Sequence, residues 1–406
     1  MHPEFRKAYN AAFTESLWRR QTEELTRRAG APAGFRLAET PVFLTEELAA
    51  RLEATARAIV AQVSDPALLS RMKRAIPAEW HAPGMGELPE MAQVDLAVVA
   101  GPDGGLVPRL IELQGFPSLS AFEVFQADAW SEALQRIPGL PAGPWSPYFS
   151  GLSRDSYLDL FRRTIVGRED PENVVLLDLH PAEQKTHIDF TATERLLGVA
   201  SADPRDLVKE GRRLFRVISG RRIPVRRIYN RIVFDELIRS KAPLPFDFRE
   251  DLDVSWVPHP NWYWTWSKYS LPLLSHPDVP KATYLSDLAE IPSDLTARYV
   301  LKPLFSFAGG GVNVEPTRAD LLAIPASERH GWCLQEKIAY APSLAAADGG
   351  GVKVEIRMMF YRPEGESRLV LGLNLCRLSR GKMLGVDFNK DFTWVGSSVA
   401  LRPAGA

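Results

Sequence analysis

The decapeptide "VKVEIRMMFY", residues 352–361, carries two chemistries on alternate positions. In a strand its period of two puts Val352, Val354, Ile356, Met358 and Phe360 on one face. Lys353, Glu355, Arg357 and Tyr361 fall on the opposite face. The apolar face calls for a sheet core, while the ionic face either meets solvent or lines a polar cleft. Strand patterns surround it: "RYVLK", "GVNVE", "WCLQEKI" and "RLVLGLNL". The C-terminal part is therefore expected to be sheet-rich.

A chain of 406 residues exceeds one average domain and is expected to fold as two or three lobes. Apolar residues make up 45% and charged residues 24%, as in soluble globular proteins. With 49 Lys and Arg against 50 Asp and Glu, no global field draws nucleic acid, so any anion site is local. The two cysteines, Cys333 and Cys376, cannot build a disulfide framework, which suits a reducing compartment. The opening "MHPEFRKAYNAAFTESLWRR" is too charged for a secretory leader, and no apolar run reaches the roughly 18 residues of a membrane span. A cytoplasmic location is expected, with no membrane and no nucleic acid as partner.

Residues 1–90 read as mostly helical. In "LTEELAARLEATARAIVAQV", Thr45 can cap, and Leu48, Leu52, Ala56, Ile59 and Val63 share a face. "QVDLAVVAGPDGGLVPRLIELQ" reads as a hairpin turning at "GPDGG". From about residue 170 the rhythm suggests an α/β lobe. "NVVLLDL" resembles a buried parallel strand, "DPRDLVKEGRRLFRVISG" a helix from Asp203 to Gly220, and "IPVRRIYN" a returning strand. The Trp-rich "SWVPHPNWYWTWSKYSLPLLSHPDVP" then reads as a junction between lobes.

Lys302 lies in "YVLKP", a strand that otherwise wants burial, and a buried ammonium needs an anionic partner. Gly309, Gly310 and Gly311 follow and let backbone N–H groups approach that partner. A phosphate meets both demands; a lysine at a strand end before an ordinary glycine hairpin meets them too. "LQEKI" offers Gln335 and Glu336 as an edge for a nucleobase. On the hairpin, Glu112 and Gln114 share a face and Asp95 comes near them, an oxygen set that suits Mg²⁺ together with phosphate oxygens. His180 and His187 lack a third ligand at metal-site spacing.

In order and spacing, "YVLKPLFSFAGGGV", "LQEKI", "WSKYSLPLL" and "QVDLAVV…IELQGFPSLSAFE" resemble the ATP-grasp domain of glutathionylspermidine synthase-like proteins, a circularly permuted branch of that superfamily. The resemblance runs from about residue 90 to the C-terminus. It implies an α/β (α+β) ATP-grasp fold with four parts. These are a helical segment at 1–90, a metal-ligand hairpin with helices at 91–165, a pre-ATP-grasp-like lobe at 166–255 and the nucleotide-binding region at 256–406. By the same resemblance Lys268 and Lys302 bind the phosphates of ATP, and Gly309, Gly310 and Gly311 close over them. Gln335, Glu336, Lys337 and Ile338 line the adenine slot, and Asp95, Glu112 and Gln114 hold Mg²⁺. Arg357 and Arg377 contact the γ-phosphate or acyl phosphate.

The implied activity is ATP-dependent amide formation between a small-molecule or peptide carboxylate and an amine. A catalytically inactive nucleotide-binding sensor or scaffold, and a phosphotransferase on the same fold, are the alternatives. Four departures from the family pattern bear on the choice. Gln93 stands for Arg, Gln114 for Asn, "SFAGGG" for a "GREG"-type lid, and Phe116-Pro117-Ser118 for Asp-Thr-Pro. Asp387 and Asn389 form a second, lower-ranked metal pair.

Overall fold

The structure, a computed structural model, describes residues 1–116, 118–241, 243–306, 309–381, 389 and 391–404. Side-chain caps start its first two helices, α1 (Pro3–Ala12) and α2 (Glu15–Ala29): His2 accepts from Phe5 N–H and Thr14 from Leu17 N–H. A short strand, β1 (Val42–Phe43), leads into α3 (Glu46–Val63). Thr45 Oγ1 caps α3 by accepting from Leu48 N–H at 3.2 Å, and the five apolar residues expected on one face are all buried. They join the core that backs the central sheet.

That sheet begins with the hairpin of β2 (Met91–Ala100) and β3 (Leu106–Gln114), which reverses at Gly101–Gly105 as "GPDGG" predicts. After it come α5 (Phe122–Leu134), preceded by the short α4 (Pro66–Met72) upstream of the hairpin, then β4 (Trp145–Ser146) and α6 (Arg154–Ile165).

Next is the α/β lobe. It contains β5 (Val174–Leu177), α7 (His187–Leu197), β6 (Ser201–Ala202), β7 (Val208–Glu210), β8 (Arg213–Ile218), β9 (Arg221–Val225), β10 (Arg227–Asn230) and β11 (Ser255–Val257). Four of these form a parallel sheet in the order β11-β10-β5-β6, with the all-apolar β5 fully buried inside it. The helix expected over 203–220 is absent. Asp203 caps only a single 3₁₀ turn at Pro204–Asp206, and β7, β8 and β9 then form an antiparallel sheet. The reason lies in the turns. Gly211 has φ +59°, and Ser219 and Gly220 have φ +49° and +77°, the paired left-handed residues of a tight hairpin.

A small antiparallel sheet follows, in the order β12-β14-β13, from β12 (Ala282–Tyr284), β13 (Tyr299–Pro303) and β14 (Trp332–Glu336). "GVNVE", expected as a strand, makes only an isolated bridge between Leu301 and Asn313. Then β15 (Leu344–Ala345), β16 (Gly351–Tyr361), β17 (Val370–Ser379) and β18 (Gly396–Ser398) complete the central sheet as β18-β17-β16-β2-β3, with β15 beside the start of β16. The last strand, β19 (Ala400–Pro403), lies between β1 and β4.

The Trp-rich passage joins two cores. Trp262 and Trp266 pack with the central sheet, and Tyr263 and Trp264 pack with the α/β lobe. Among the described residues no helix is long and apolar enough to cross a membrane.

Candidate functional site

The charge planted in β13 reaches across to the hairpin. Lys302 is 7% exposed, and its Nζ donates to Ile111 O on β3 at 3.0 Å and to Gln335 Oε1 on β14 at 2.6 Å. Burial lowers its pKa, and the charge of Glu112 partly restores it. Lys268 arrives from the 3₁₀ turn that follows the tryptophans. Its Nζ lies 3.2 Å from Glu112 Oε2 and donates to Ser306 O at 2.5 Å. The second oxygen of Glu112 accepts from Gln114 Nε2 at 2.5 Å. Burial pushes the Glu112 carboxyl up, but the summed attraction of Lys268, Arg377, Lys302 and Arg357 prevails and holds it at about 2.

A cleft lined by Glu112, Gln114, Phe116, Trp266, Lys268 and Phe305 opens here. Its volume of about 20 Å³ admits roughly one water.

The ionic face of the central sheet adjoins this cleft. Register sets Asp95 between Glu112 on β3 and Arg357 on β16. Arg357 Nε and Nη2 each donate to one oxygen of Asp95 at 2.7 Å, and Arg377 Nη2 donates to Asp95 Oδ2 at 2.5 Å. Arg377 also pairs with Glu355. Asp95 is 0% exposed, Glu355 2% and Arg357 6%. Burial disfavours charge on both arginines, yet the neighbouring carboxylates outweigh it and raise both pKa values.

This arrangement sets the expected metal trio among protein cations. Asp95, Glu112 and Gln114 do come together, but as partners of protein cations and of each other. Both oxygens of Asp95 are held by guanidinium groups, and both oxygens of Glu112 by Lys268 and Gln114. Among the described residues no three His, Cys, Asp or Glu side chains are grouped to hold a metal ion. Opening a buried pair such as Asp95–Arg357 leaves an uncompensated charge, at a cost of about 3–5 kcal/mol. The trio does not fit Mg²⁺ as it stands. Asp387 of the second pair lies outside the described residues, and Asn389 Oδ1 accepts from Ser379 Oγ and from the N–H groups of Arg380 and Gly381.

Part of the expected base-binding edge is already paired. β14 is the middle strand of its sheet, with Gln335 paired to Ala282 on one side and Val300 on the other. Glu336 N–H donates to Lys281 O and Lys337 N–H to Arg298 O, while Lys337 Nζ reaches Thr296 O. Ile338, together with Tyr340, packs on Ala97, Val99 and Val107 of the hairpin. Gly309 and Gly311 have φ of +75° and +71°, and Gly309, Gly310 and Gly311 are exposed beside the end of β13. Phe307 and Ala308 of the same loop lie outside the described residues.

Sequence reasoning missed the Ser306 carbonyl and Tyr340. A backbone carbonyl and an ordinary aromatic carry no local signal.

No family model and no curated protein matches the chain. One solved structure that does is a glutathione synthetase-like effector, GSS30, from Globodera pallida in its apo form. It aligns with a TM-score of 0.52 at 12% identity, over 97% of this chain and 98% of its own. The fold is glutathione-synthetase-like. At that identity the likeness concerns the fold alone, a mixed α/β fold of several sheets and helices.

Proposed function

We propose that the chain is an ATP-dependent carboxylate–amine ligase. One observation carries this reading: Lys268 and Lys302, from the C-terminal half, converge on Glu112 and the Ile111 carbonyl of the N-terminal hairpin. Two ammonium groups around one carboxylate leave an excess of positive charge, which a polyphosphate would satisfy. Transfer of the γ-phosphoryl group to a substrate carboxylate needs in-line positioning and charge neutralisation rather than a nucleophilic side chain. The carboxylate oxygen attacks phosphorus and ADP leaves. The amine then attacks the acyl carbon, phosphate departs, and the amine's proton passes to solvent.

The test incubates the protein with ATP, pooled small-molecule and peptide carboxylates and pooled amines, with and without Mg²⁺. The expected outcome is ADP and phosphate release that requires both co-substrates, with an amide in the mass spectrum. A phosphate ester there would mark a phosphotransferase. Lys302→Ala is expected to weaken ATP binding at least about a hundredfold, roughly the loss of one buried charge-assisted contact. Unchanged affinity by calorimetry would remove Lys302 from the site.

A second reading, nucleotide binding without turnover, is favoured by the commitment of Asp95 to Arg357 and Arg377. ATP binding without ADP release under any co-substrate supports it.

A further inference from the structure

We infer that Arg357 and Arg377 stand in for a divalent cation at the Asp95–Glu112 face, so that this site takes its phosphate ligand without metal. This rests on the nucleotide reading of the cleft for its ligand, but not for its claim about metal.

The charges decide it. Among the described residues three carboxylates, Asp95, Glu112 and Glu355, face four cations, Lys268, Lys302, Arg357 and Arg377, while burial pushes a fourth carboxyl near Arg357, that of Glu123, well up toward its neutral form. The cluster is therefore already net positive, and a divalent ion would enter against that charge. Geometry agrees. Mg²⁺ asks for octahedral oxygens at about 2.0–2.1 Å, and the three guanidinium N–H bonds that Asp95 accepts leave it about one free lone pair, on an oxygen already facing a cation. Arg357 is buried, and Arg377, 32% exposed, is fixed by its ion pairs. Arg357 sits directly across from Asp95 in the sheet, and Arg377 sits opposite Glu355 on the next strand.

The unsatisfied groups point the same way. Among the described residues Arg377 Nε and Gln335 Nε2 are buried donors with no acceptor, beside an amide oxygen, Gln93 Oε1, and a hydroxyl, Ser306 Oγ, that also lack partners. A site with spare donors is built for an anion.

The experiment has two arms on the full chain. In the first, Mn²⁺ is titrated without nucleotide, and free Mn²⁺ is followed by electron paramagnetic resonance. Wild type is expected to leave Mn²⁺ free up to about 1 mM, in the range of weak oxygen-ligand sites. Arg377→Gln is expected to gain binding at least about tenfold tighter, because it frees Glu355 and one acceptor position on Asp95 Oδ2 and removes a positive charge, while Arg377→Lys, which keeps the cation, is not. Stoichiometric Mn²⁺ binding by wild type that Glu112→Gln abolishes would overturn the inference, as would an Arg377→Gln that folds and gains nothing. In the second arm, ATP affinity is measured in EDTA and in Mg²⁺, with agreement within about threefold expected. A loss above about thirtyfold in EDTA would also overturn the inference. Absence of ATP binding in both buffers would instead remove the nucleotide reading, and the Mn²⁺ arm would still decide the metal claim.

Discussion

Asp178, at the C-terminal end of β5, shows what a single buried carboxyl does to this molecule. Burial drives its pKa up to about 8 against the opposing pull of Arg231 and the Leu179 N–H. Its folded pKa is above the unfolded value, so its contribution to stability is complete below about pH 4 and is lost as pH rises through about 8. The slope for one such group is at most about 1.4 kcal/mol per pH unit. Asp178→Asn is expected to flatten that part of the profile, so that urea unfolding at pH 5 and pH 8 differs less than in wild type. Equal pH slopes in the two proteins would show that Asp178 ionises freely.

Legibility at this scale depended on conflict. Lys302 announced itself as a charge inside an apolar run, and Glu112 as a carboxylate on a hairpin face. Asp95 and Arg357 read as a metal ligand and a phosphate contact because strand periodicity assigns faces but not neighbours. Their pairing needs the register between β2 and β16, strands separated by most of the chain.

Whole elements were readable where local chemistry agreed with itself. The capped α3 and the "GPDGG" hairpin each had a start signal, a period and an end, and both form as expected. The stretch after Asp203 had a helix cap and a helix exit, yet two glycine turns inside it chose strands.

Gly115 is a position where the sequence carried no warning. Its N–H donates to Trp266 O at 2.6 Å, and an added Cβ would stand 2.6 Å from Trp262 O and 2.9 Å from Trp266 Cβ. The helical turn at Trp262–Thr265 carries the chain straight into Lys268, so pushing it away moves a site residue as well. Gly115→Ala is expected to destabilise by about 2 kcal/mol, the usual scale of overpacking, and to weaken ATP binding at the same time. Thermal unfolding and calorimetry on one preparation check both. A loss of stability with unchanged affinity would disconnect the tryptophan turn from the cleft.

At the scale of the molecule, the first ninety residues had no motif to read, yet they are tied into the same sheet system as the site. The tie is non-local, which is why no window of sequence reveals it. Ala38 N–H donates to Ser397 O, Ser397 N–H to Arg36 O, Val42 N–H to Val399 O and Leu44 N–H to Leu401 O. Ser397 is itself the β18 partner of Arg377 on β17. The N-terminal segment therefore braces the strand that flanks the arginine proposed to replace a metal. Removing residues 1–44 would strip one of the two pairings of β19 and take Tyr9 and Phe43 out of the main core, each of them almost fully buried. Burial of an aromatic side chain is worth about 1.5–3 kcal/mol, so losing both, about 3–6 kcal/mol, together with the strand removes a large share of the roughly 5–15 kcal/mol of a marginally stable protein. The shortened chain is expected to be insoluble or to unfold without cooperativity, and co-expression with residues 1–90 is expected to restore a soluble complex. A truncated protein that melts cooperatively at the wild-type temperature would mean that the brace contributes nothing, and that Arg377 is held in place by β16 and β17 alone.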